Sequence, residues 1–116
     1  YMIWSHLRHA DELVARLEAL ASRNLDASFG VAEAAVALRV TERTLHRRVR
    51  KATGRSPSAF MQAIRLQRAH HLLETTKLPV EEVARRVGYG DATALRRLIR
   101  RNLQASPRDL RRSARA

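Results

Sequence analysis

Apolar residues recur every three or four positions along most of this chain, a spacing that predicts amphipathic α-helices. The first such stretch runs from Ser5 to about Asn24, where leucines, a valine and alanines fall on one helical face. β-branched residues never form the alternating run of a strand, and only four glycines and three prolines interrupt the pattern. The sequence therefore predicts an all-α protein.

Start and stop signals divide the remainder of the chain into six further helices. Thr41 and Asp91 are favourable N-cap residues, and the Ser-Pro pairs at 56–57 and 106–107 each place a cap before a proline in the first helical position. Gly54 is expected to end a helix. The predicted helices cover residues 31–38, 42–52, 57–74, 79–87, 92–102 and 107 onward.

The chain contains an internal repeat. A shift of 49 residues aligns the apolar positions of two short helices, and a shift of 50 aligns the helices and Ser-Pro pairs that follow them. The aligned residues are Val31, Ala34, Ala35 and Leu38 with Val80, Val83, Ala84 and Val87, then Leu45, Arg47, Val49, Arg50, Ser56 and Pro57 with Leu95, Arg97, Ile99, Arg100, Ser106 and Pro107. Each copy is predicted to be a helix-turn-helix unit.

The second helix of each copy has an apolar face and a basic face on a 3.6-residue wheel. The apolar faces comprise Leu45, Val49 and Ala52, with Arg48 at the margin, and in the second copy Leu95, Leu98 and Ile99. The opposite faces comprise Arg43, His46, Arg47 and Arg50, and in the second copy Thr93, Arg96, Arg97 and Arg100. Segments 41–51 and 91–101 carry net charges of +4 and +3. Because a merely solvated helix usually interleaves charges of both signs, these faces indicate a polyanionic partner.

The charge of the whole chain supports this interpretation and excludes other classes of protein. The formal net charge is +12, of which residues 1–30 contribute −1 and residues 31–116 contribute +13. There is no cysteine, which excludes a disulfide scaffold, and no apolar window approaches the roughly 18 residues of a membrane span. The expected partner is nucleic acid first, and an acidic membrane surface or an acidic protein second.

Duplex DNA fits the predicted helices better than RNA does. The helix at 57–74 would be about 27 Å long at ~1.5 Å per residue, close to the ~34 Å between successive major-groove faces of B-DNA. It could therefore hold two recognition helices in adjacent turns of one groove. The deep, narrow groove of A-form RNA does not admit a helix, and stacking aromatic residues are scarce in this chain.

Other chemistry finds little support in the sequence. His6 and His9 have a spacing that could bind a metal, and His70-His71 are adjacent, but no cysteine or carboxylate cluster completes a site. No pairing of nucleophile and base and no glycine-rich phosphate loop is visible. We therefore expect no enzymatic activity, no metal and no cofactor. Trp4 and Phe29 are expected to anchor the core or a linker.

Several motifs in combination resemble one family. They are Arg43-Thr44-Leu45-His46-Arg47-Arg48, Thr53-Gly54-Arg55-Ser56-Pro57, Arg65-Leu66 with Ala69 and Leu72-Leu73-Glu74, Val83-Ala84 with Val87-Gly88-Tyr89-Gly90-Asp91, and Ser106-Pro107 with Leu110-Arg111. Over about residues 28–112 the chain closely resembles the DNA-binding domain of AraC/XylS-type transcription regulators. More narrowly, it resembles the subgroup whose sensor domain has a class I amidotransferase-like (DJ-1/PfpI-like) fold.

The resemblance implies a fold and a set of site residues. The fold would be seven helices in two helix-turn-helix subdomains joined by a long helix, binding successive major grooves as one unit. The implied base-reading residues are Arg43, His46 and Arg47 in the first recognition helix, and Thr93, Arg96 and Arg97 in the second. We expect phosphate contacts from residues at and beside these helices, namely Thr41, Arg50, Lys51, Arg100 and Arg101.

Some residues depart from the family pattern. Val49 and Ile99 stand where phenylalanine is usual, which suggests a repacked core. Gln104 replaces a glycine before the second Ser-Pro pair, and Arg39 occupies the first turn where many such units have glycine. Position 92 is alanine, which is expected to reduce one potential contact of the second recognition helix to a methyl group.

The predicted organisation has five parts: residues 1–27 as linker and first helix, 28–55 as the first helix-turn-helix, 56–76 as the connecting helix, 77–112 as the second helix-turn-helix with a terminal helix, and 113–116 as a tail. The expected function is sequence-specific binding of duplex DNA in the cytoplasm, at the nucleoid, by a bacterial transcription regulator. An N-terminal sensor or dimerisation domain is expected to be missing from this chain, and RNA polymerase is a further expected partner. The alternatives are non-specific nucleic-acid binding and an interaction module for an acidic protein.

Overall fold

The computed structural model describes residues 11–25 and 28–115, and the regular elements in these ranges are seven α-helices. They are α1 (Glu12–Arg23), α2 (Val31–Leu38), α3 (Glu42–Thr53), α4 (Pro57–Thr75), α5 (Val80–Arg86), α6 (Ala92–Leu103) and α7 (Pro107–Arg115). Among the described helices, none is long and apolar enough to cross a membrane. The predicted fold class is confirmed.

The start of α1 corrects one sequence prediction. The backbone of Asp11 is extended, with φ −145°, and its side chain caps the helix by accepting from the amides of Leu13 and Val14. A single helix running from Ser5 through Asp11 is therefore wrong, because a capping side chain outweighs the apolar periodicity at this position. Residues 5–10, with the two histidines there, lie outside the described residues, as does Trp4.

The predicted caps agree closely with the observed ones. Thr41 and Asp91 accept hydrogen bonds from the amides of Thr44 and Ala94 at 3.0 and 2.9 Å. The two Ser-Pro pairs also act as predicted, since each serine hydroxyl accepts from the amide three residues later, at 3.2 and 3.1 Å. Elsewhere the helix ends differ from the predictions by one residue, and Pro79 precedes α5 as its N-cap rather than lying within it.

The chain divides into two compact units, Tyr1–Ile64 and Arg65–Ala116. In the first unit α1, α2 and α3 pack together, and the start of α4 contributes Phe60, Met61 and Ile64 to the core. Phe29 is partly buried against this core, as expected for an anchor. The residues of this core that are fully hidden from solvent are Val14, Leu17, Ala34, Leu45 and Val49.

The second unit is built from the end of α4 with α5, α6 and α7. Its buried apolar residues are Ala69, Leu72, Leu73, Val83, Ala84, Val87, Ala92, Leu95, Leu98, Ile99 and Leu110. Arg111 of α7 donates to the carbonyl oxygen of Thr76 at 2.9 Å and to that of Leu78. Because helix C-termini leave carbonyl groups without partners, this arginine also satisfies the end of α4 and holds the loop before α5.

Among residues 11–25 and 28–115, four adopt the left-handed backbone conformation, two in each unit. In the first unit they are Arg39 (φ 59°) in the turn between α2 and α3 and Gly54 (φ 75°) after α3. In the second they are Gly88 (φ 89°) in the turn and Gln104 (φ 52°) after α6. Arg39 and Gln104 therefore adopt the conformation that glycine would take, although a side chain makes it less favourable.

Candidate nucleic-acid interface

Helix α3 is held in the first unit by its apolar face. Leu45 and Val49 are completely buried, and Thr41 caps the helix N-terminus. The small departure from the family pattern at position 49 is accommodated, because valine is fully enclosed there. The packing leaves the opposite face of α3 in solvent, as the predicted wheel required.

That opposite face is basic. Arg43, His46 and Arg47 are exposed, and so are Thr41, Arg50 and Lys51. Together with Thr44, five of these side chains line one shallow groove along α3, namely Arg43, His46, Arg47, Arg50 and Lys51. A groove of this lining offers several charged donors that can bind to anionic phosphates or to the edges of bases.

Helix α6 repeats this construction in the second unit. Asp91 caps it, while Leu95, Leu98 and Ile99 are buried beneath it. The opposite face is exposed, and it presents the predicted residues Thr93, Arg96, Arg97, Arg100 and Arg101. Ala92, where a potential contact was expected to be reduced to a methyl group, is buried at 6% exposure.

Three ion-pair groups flank these faces, and the sequence pattern did not predict them. Arg48 of α3 makes two hydrogen bonds to Asp11, at 2.9 and 2.8 Å. Glu81 of α5 lies 3.9 Å from Arg96 of α6. Glu82 binds both arginines that follow it in α5, Arg85 and Arg86. Only the last group could have been found from the sequence, since its members are three and four residues apart on one helix.

These contacts shift the pKa values of the acidic groups. The hydrogen bonds from Arg48, together with those from two backbone amides, hold the pKa of Asp11 below its ordinary value, against an opposing effect of burial. The hydrogen bonds from Arg85 and Arg86 likewise lower the pKa of Glu82. Both carboxylates are therefore ionised at neutral pH and cancel part of the basic charge beside the recognition helices.

The described residues were also compared with the requirements of a metal-binding site. Within residues 11–25 and 28–115, no group of three or more histidine, cysteine, aspartate or glutamate side chains could hold a metal ion. His70 instead lies 3.1 Å from Glu74, one turn later on α4. The pair is an ordinary i, i+4 contact on a helix surface.

Comparison with known proteins identifies the family. A family described as "Helix-turn-helix domain" matches residues 34–113. The HTH-type transcriptional activator RhaS of Klebsiella pneumoniae is 38% identical over 79 residues, which are 68% of this chain and 28% of RhaS. RhaS of Salmonella arizonae is 42% identical over 69 residues, 60% of this chain and 25% of that protein. The chain thus spans about a quarter of the length of these relatives.

Solved structures agree with the fold. The DNA-binding domain of AdpA, a global transcriptional factor solved in complex with a target DNA, is 37% identical with a TM-score of 0.78, over 87% of this chain and 91% of that one. The C-terminal domain of AraT from Geobacillus stearothermophilus is 26% identical with a TM-score of 0.81, over 89% and 86% of the two chains. An AraC-type regulator from Chromobacterium violaceum, 21% identical, shares the fold with a TM-score of 0.86 over 91% and 95%.

Two helix-turn-helix units, each with a capped basic helix above a buried apolar stripe, define a DNA-binding domain of a transcription regulator. The chain belongs to the AraC/XylS-type helix-turn-helix family, which is not enzymatic.

Proposed function

We propose that this domain recognises a specific duplex DNA sequence by inserting α3 and α6 into two adjacent segments of the major groove. The observation that carries the proposal is the exposed basic face of each recognition helix, directly opposite fully buried leucines. Helix α4, whose predicted length was the basis for expecting two adjacent segments, has 19 residues, or about 28 Å. AdpA, 37% identical over most of the chain, was solved with a target DNA.

Base reading is assigned to the exposed residues nearest the N-terminal half of each recognition helix. In α3 these are Arg43, His46 and Arg47, and in α6 they are Thr93, Arg96 and Arg97. An arginine can donate two hydrogen bonds to O6 and N7 of one guanine, which is worth ~1 to 3 kcal/mol of discrimination against another base. Histidine and threonine can donate single hydrogen bonds to base edges.

Phosphate binding is assigned to residues at the ends of the same helices. Thr41 lies at the N-terminus of α3, and the others are exposed on the last turns of α3 and α6: Arg50, Lys51, Arg100 and Arg101. These contacts carry no sequence information, but each neutralised phosphate releases counterions. The affinity is therefore expected to fall steeply as the salt concentration rises.

A selection from randomised duplex DNA at physiological salt tests the proposal. The expected result is an enriched motif with two parts about one helical turn apart, with protection of two adjacent major-groove segments in a footprint. Enrichment of no sequence, with retained binding to all duplexes, would instead establish the alternative of a non-specific nucleic-acid-binding protein. Failure to bind any duplex would favour an acidic protein as the partner of the two basic faces.

The full regulator is proposed to contain more than this domain. The support is that the chain spans about a quarter of the length of the RhaS proteins of Klebsiella pneumoniae and Salmonella. An N-terminal sensor domain of the amidotransferase-like subgroup, contact with RNA polymerase, and a cytoplasmic location at the bacterial nucleoid belong to this proposal. Binding of purified RNA polymerase to the natural full-length product on promoter DNA tests the proposed contact with RNA polymerase.

A further inference from the structure

Asp11 makes two kinds of contact at once. Its Oδ1 atom caps α1 by accepting from the amides of Leu13 and Val14 at 2.8 and 3.3 Å. Its carboxylate also binds the guanidinium of Arg48 at two points, Nε to Oδ2 at 2.9 Å and Nη2 to Oδ1 at 2.8 Å. The Asp11 side chain is 15% exposed and that of Arg48 is 41% exposed. The residue that begins α1 therefore also holds the recognition helix α3.

The position of Arg48 on α3 gives this contact its significance. Arg48 follows the proposed base-reading residue Arg47 and precedes the buried Val49, so it lies at the margin between the basic face and the core. Apolar contacts are non-directional, so they fix the rotation of a helix less sharply than a directional contact does. A two-point hydrogen-bonded ion pair has a fixed geometry, and it therefore resists both movements.

The second unit lacks this contact at the equivalent position. A shift of 50 residues places Leu98 where Arg48 stands, and Leu98 is buried at 5% exposure. In α6 that position is part of the apolar core. In α3 it is an arginine that forms an ion pair with Asp11 at the start of α1, a helix that precedes the repeat. The ion pair between Asp11 and Arg48 therefore has no equivalent at this position of the second recognition helix.

We propose that Asp11 is a positioning residue for DNA recognition, because it sets through Arg48 the rotation and register at which α3 presents Arg43, His46 and Arg47. Asp11 does not itself contact DNA in this proposal. The proposal rests on the assignment of α3 as a DNA-reading helix made above. It predicts that loss of the Asp11–Arg48 contact weakens sequence discrimination in one half of the site only.

The substitution Asp11→Asn separates the two roles of this side chain. Asparagine is as favourable an N-cap as aspartate, so α1 stays capped. Its neutral amide presents a single oxygen and an NH₂ group, so the charged two-point contact with Arg48 is lost. The 116-residue chain is assayed by fluorescence anisotropy on the duplex obtained by selection, and on two duplexes that each carry a base change in one half.

The expected result is a loss of discrimination of about fivefold in the half read by α3, with the half read by α6 unchanged. Arg48→Lys keeps the charge but not the two-point geometry, so the same loss is expected there. Glu12→Gln is the matched control, since it removes one negative charge from the next, exposed residue of α1. That variant is expected to keep the discrimination of both halves.

Arg47→Ala identifies the half that α3 reads and separates this proposal from the one it rests on. If Arg47→Ala changes neither half selectively, the assignment of α3 as a reading helix is wrong. If Arg47→Ala acts on one half but Asp11→Asn and Arg48→Lys change nothing, or weaken both halves equally, Asp11 is not a positioning residue. Thermal unfolding of each variant ensures that binding is measured below its transition.

Discussion

The two helix-turn-helix units begin their first helices differently, although equivalent residues of the repeat are involved. In the first unit the amide of Gly30 donates to Oε1 of Glu33 at 2.8 Å. In the second unit the equivalent residue is Pro79, which has no N–H group to donate. The equivalent glutamate, Glu82, binds two arginines of α5 instead. One residue of the repeat therefore completes a helix start in one unit and neutralises basic charge in the other.

The two units also have glycine at different positions of the repeat. Each needs a left-handed residue in its turn and another after its recognition helix, and each has glycine at only one of the two positions. Arg39 and Gly54 fill these places in the first unit, and Gly88 and Gln104 fill them in the second. At both positions, therefore, one unit adopts the left-handed conformation without glycine, although a side chain makes it less favourable by about 1 to 2 kcal/mol.

The largest effects are expected from truncating the equivalent core leucines. Leu45 and Leu95 are both fully buried, so Leu45→Ala and Leu95→Ala should each lower the free energy of unfolding by about 2 to 5 kcal/mol. Denaturant titration followed by circular dichroism measures this loss. Val36→Ala, at a residue that is 78% exposed, is the control and should change stability by less than about 0.5 kcal/mol. A control effect as large as the core effects would contradict the burial of these leucines.

Equivalent arginines test whether the two units read DNA separately. Arg47→Ala and Arg97→Ala are each expected to cost ~1 to 3 kcal/mol of discrimination at different base positions, because a two-point contact with a guanine is lost. Competition binding with single-base variants of the selected duplex locates the affected positions. A uniform loss over all sequences would place the substituted arginine on a phosphate rather than on a base.

Removing a glycine from one left-handed position and introducing one at the equivalent position should change stability in opposite directions. Gly54→Ala is expected to destabilise the domain by about 1 kcal/mol, because alanine is strained at positive φ even though space for its methyl group is available. Gln104→Gly removes the same strain after α6 and is expected to stabilise by up to about 1 kcal/mol. Differences in melting temperature measure both changes. If both melting temperatures shifted in the same direction, Gly54 and Gln104 would not share the left-handed conformation.

The smallest effect is expected from the acid dependence of stability. The pKa of Asp11 is lowered in the folded state by Arg48 and by the capped amides. Its contribution to stability is therefore fully present above its ordinary pKa of about 3.9, and it is lost as the pH falls through the lowered value. Asp11→Asn should flatten the acid limb of a stability profile below about pH 4. Glu82 pairs with two exposed arginines and should contribute less to this limb, so Glu82→Gln serves as the comparison.

Local chemistry made much of the fold predictable. Thr41, Asp91 and the two Ser-Pro pairs each satisfy backbone amides within three residues, so their role depends on few other parts of the chain. The exposed faces of α3 and α6 were also predictable, because helical periodicity alone separates them from the buried leucines. Whether the exposed residues bind DNA as proposed stays a prediction.

Other features depend on residues far apart in sequence, and here prediction failed. The contact between Asp11 and Arg48 was missed because 37 residues separate them. The start of α1 was missed for a local reason, because the apolar periodicity continues through the capping residue Asp11. The burial of Ala92 was not predicted either, and the equivalent first residue of α3, Glu42, is exposed. The contact between Glu81 and Arg96 requires the angle between two helices, which periodicity does not provide.

The arginines of α5 have a consequence for how fast the domain finds DNA. Glu82 binds Arg85 and Arg86 together, so an approaching polyanion meets the three side chains as one net positive charge rather than two. Electrostatic steering of diffusional encounter depends on such net charge. The two arginines of α5 should therefore add less to this steering than the exposed Arg97, Arg100 and Arg101 of α6.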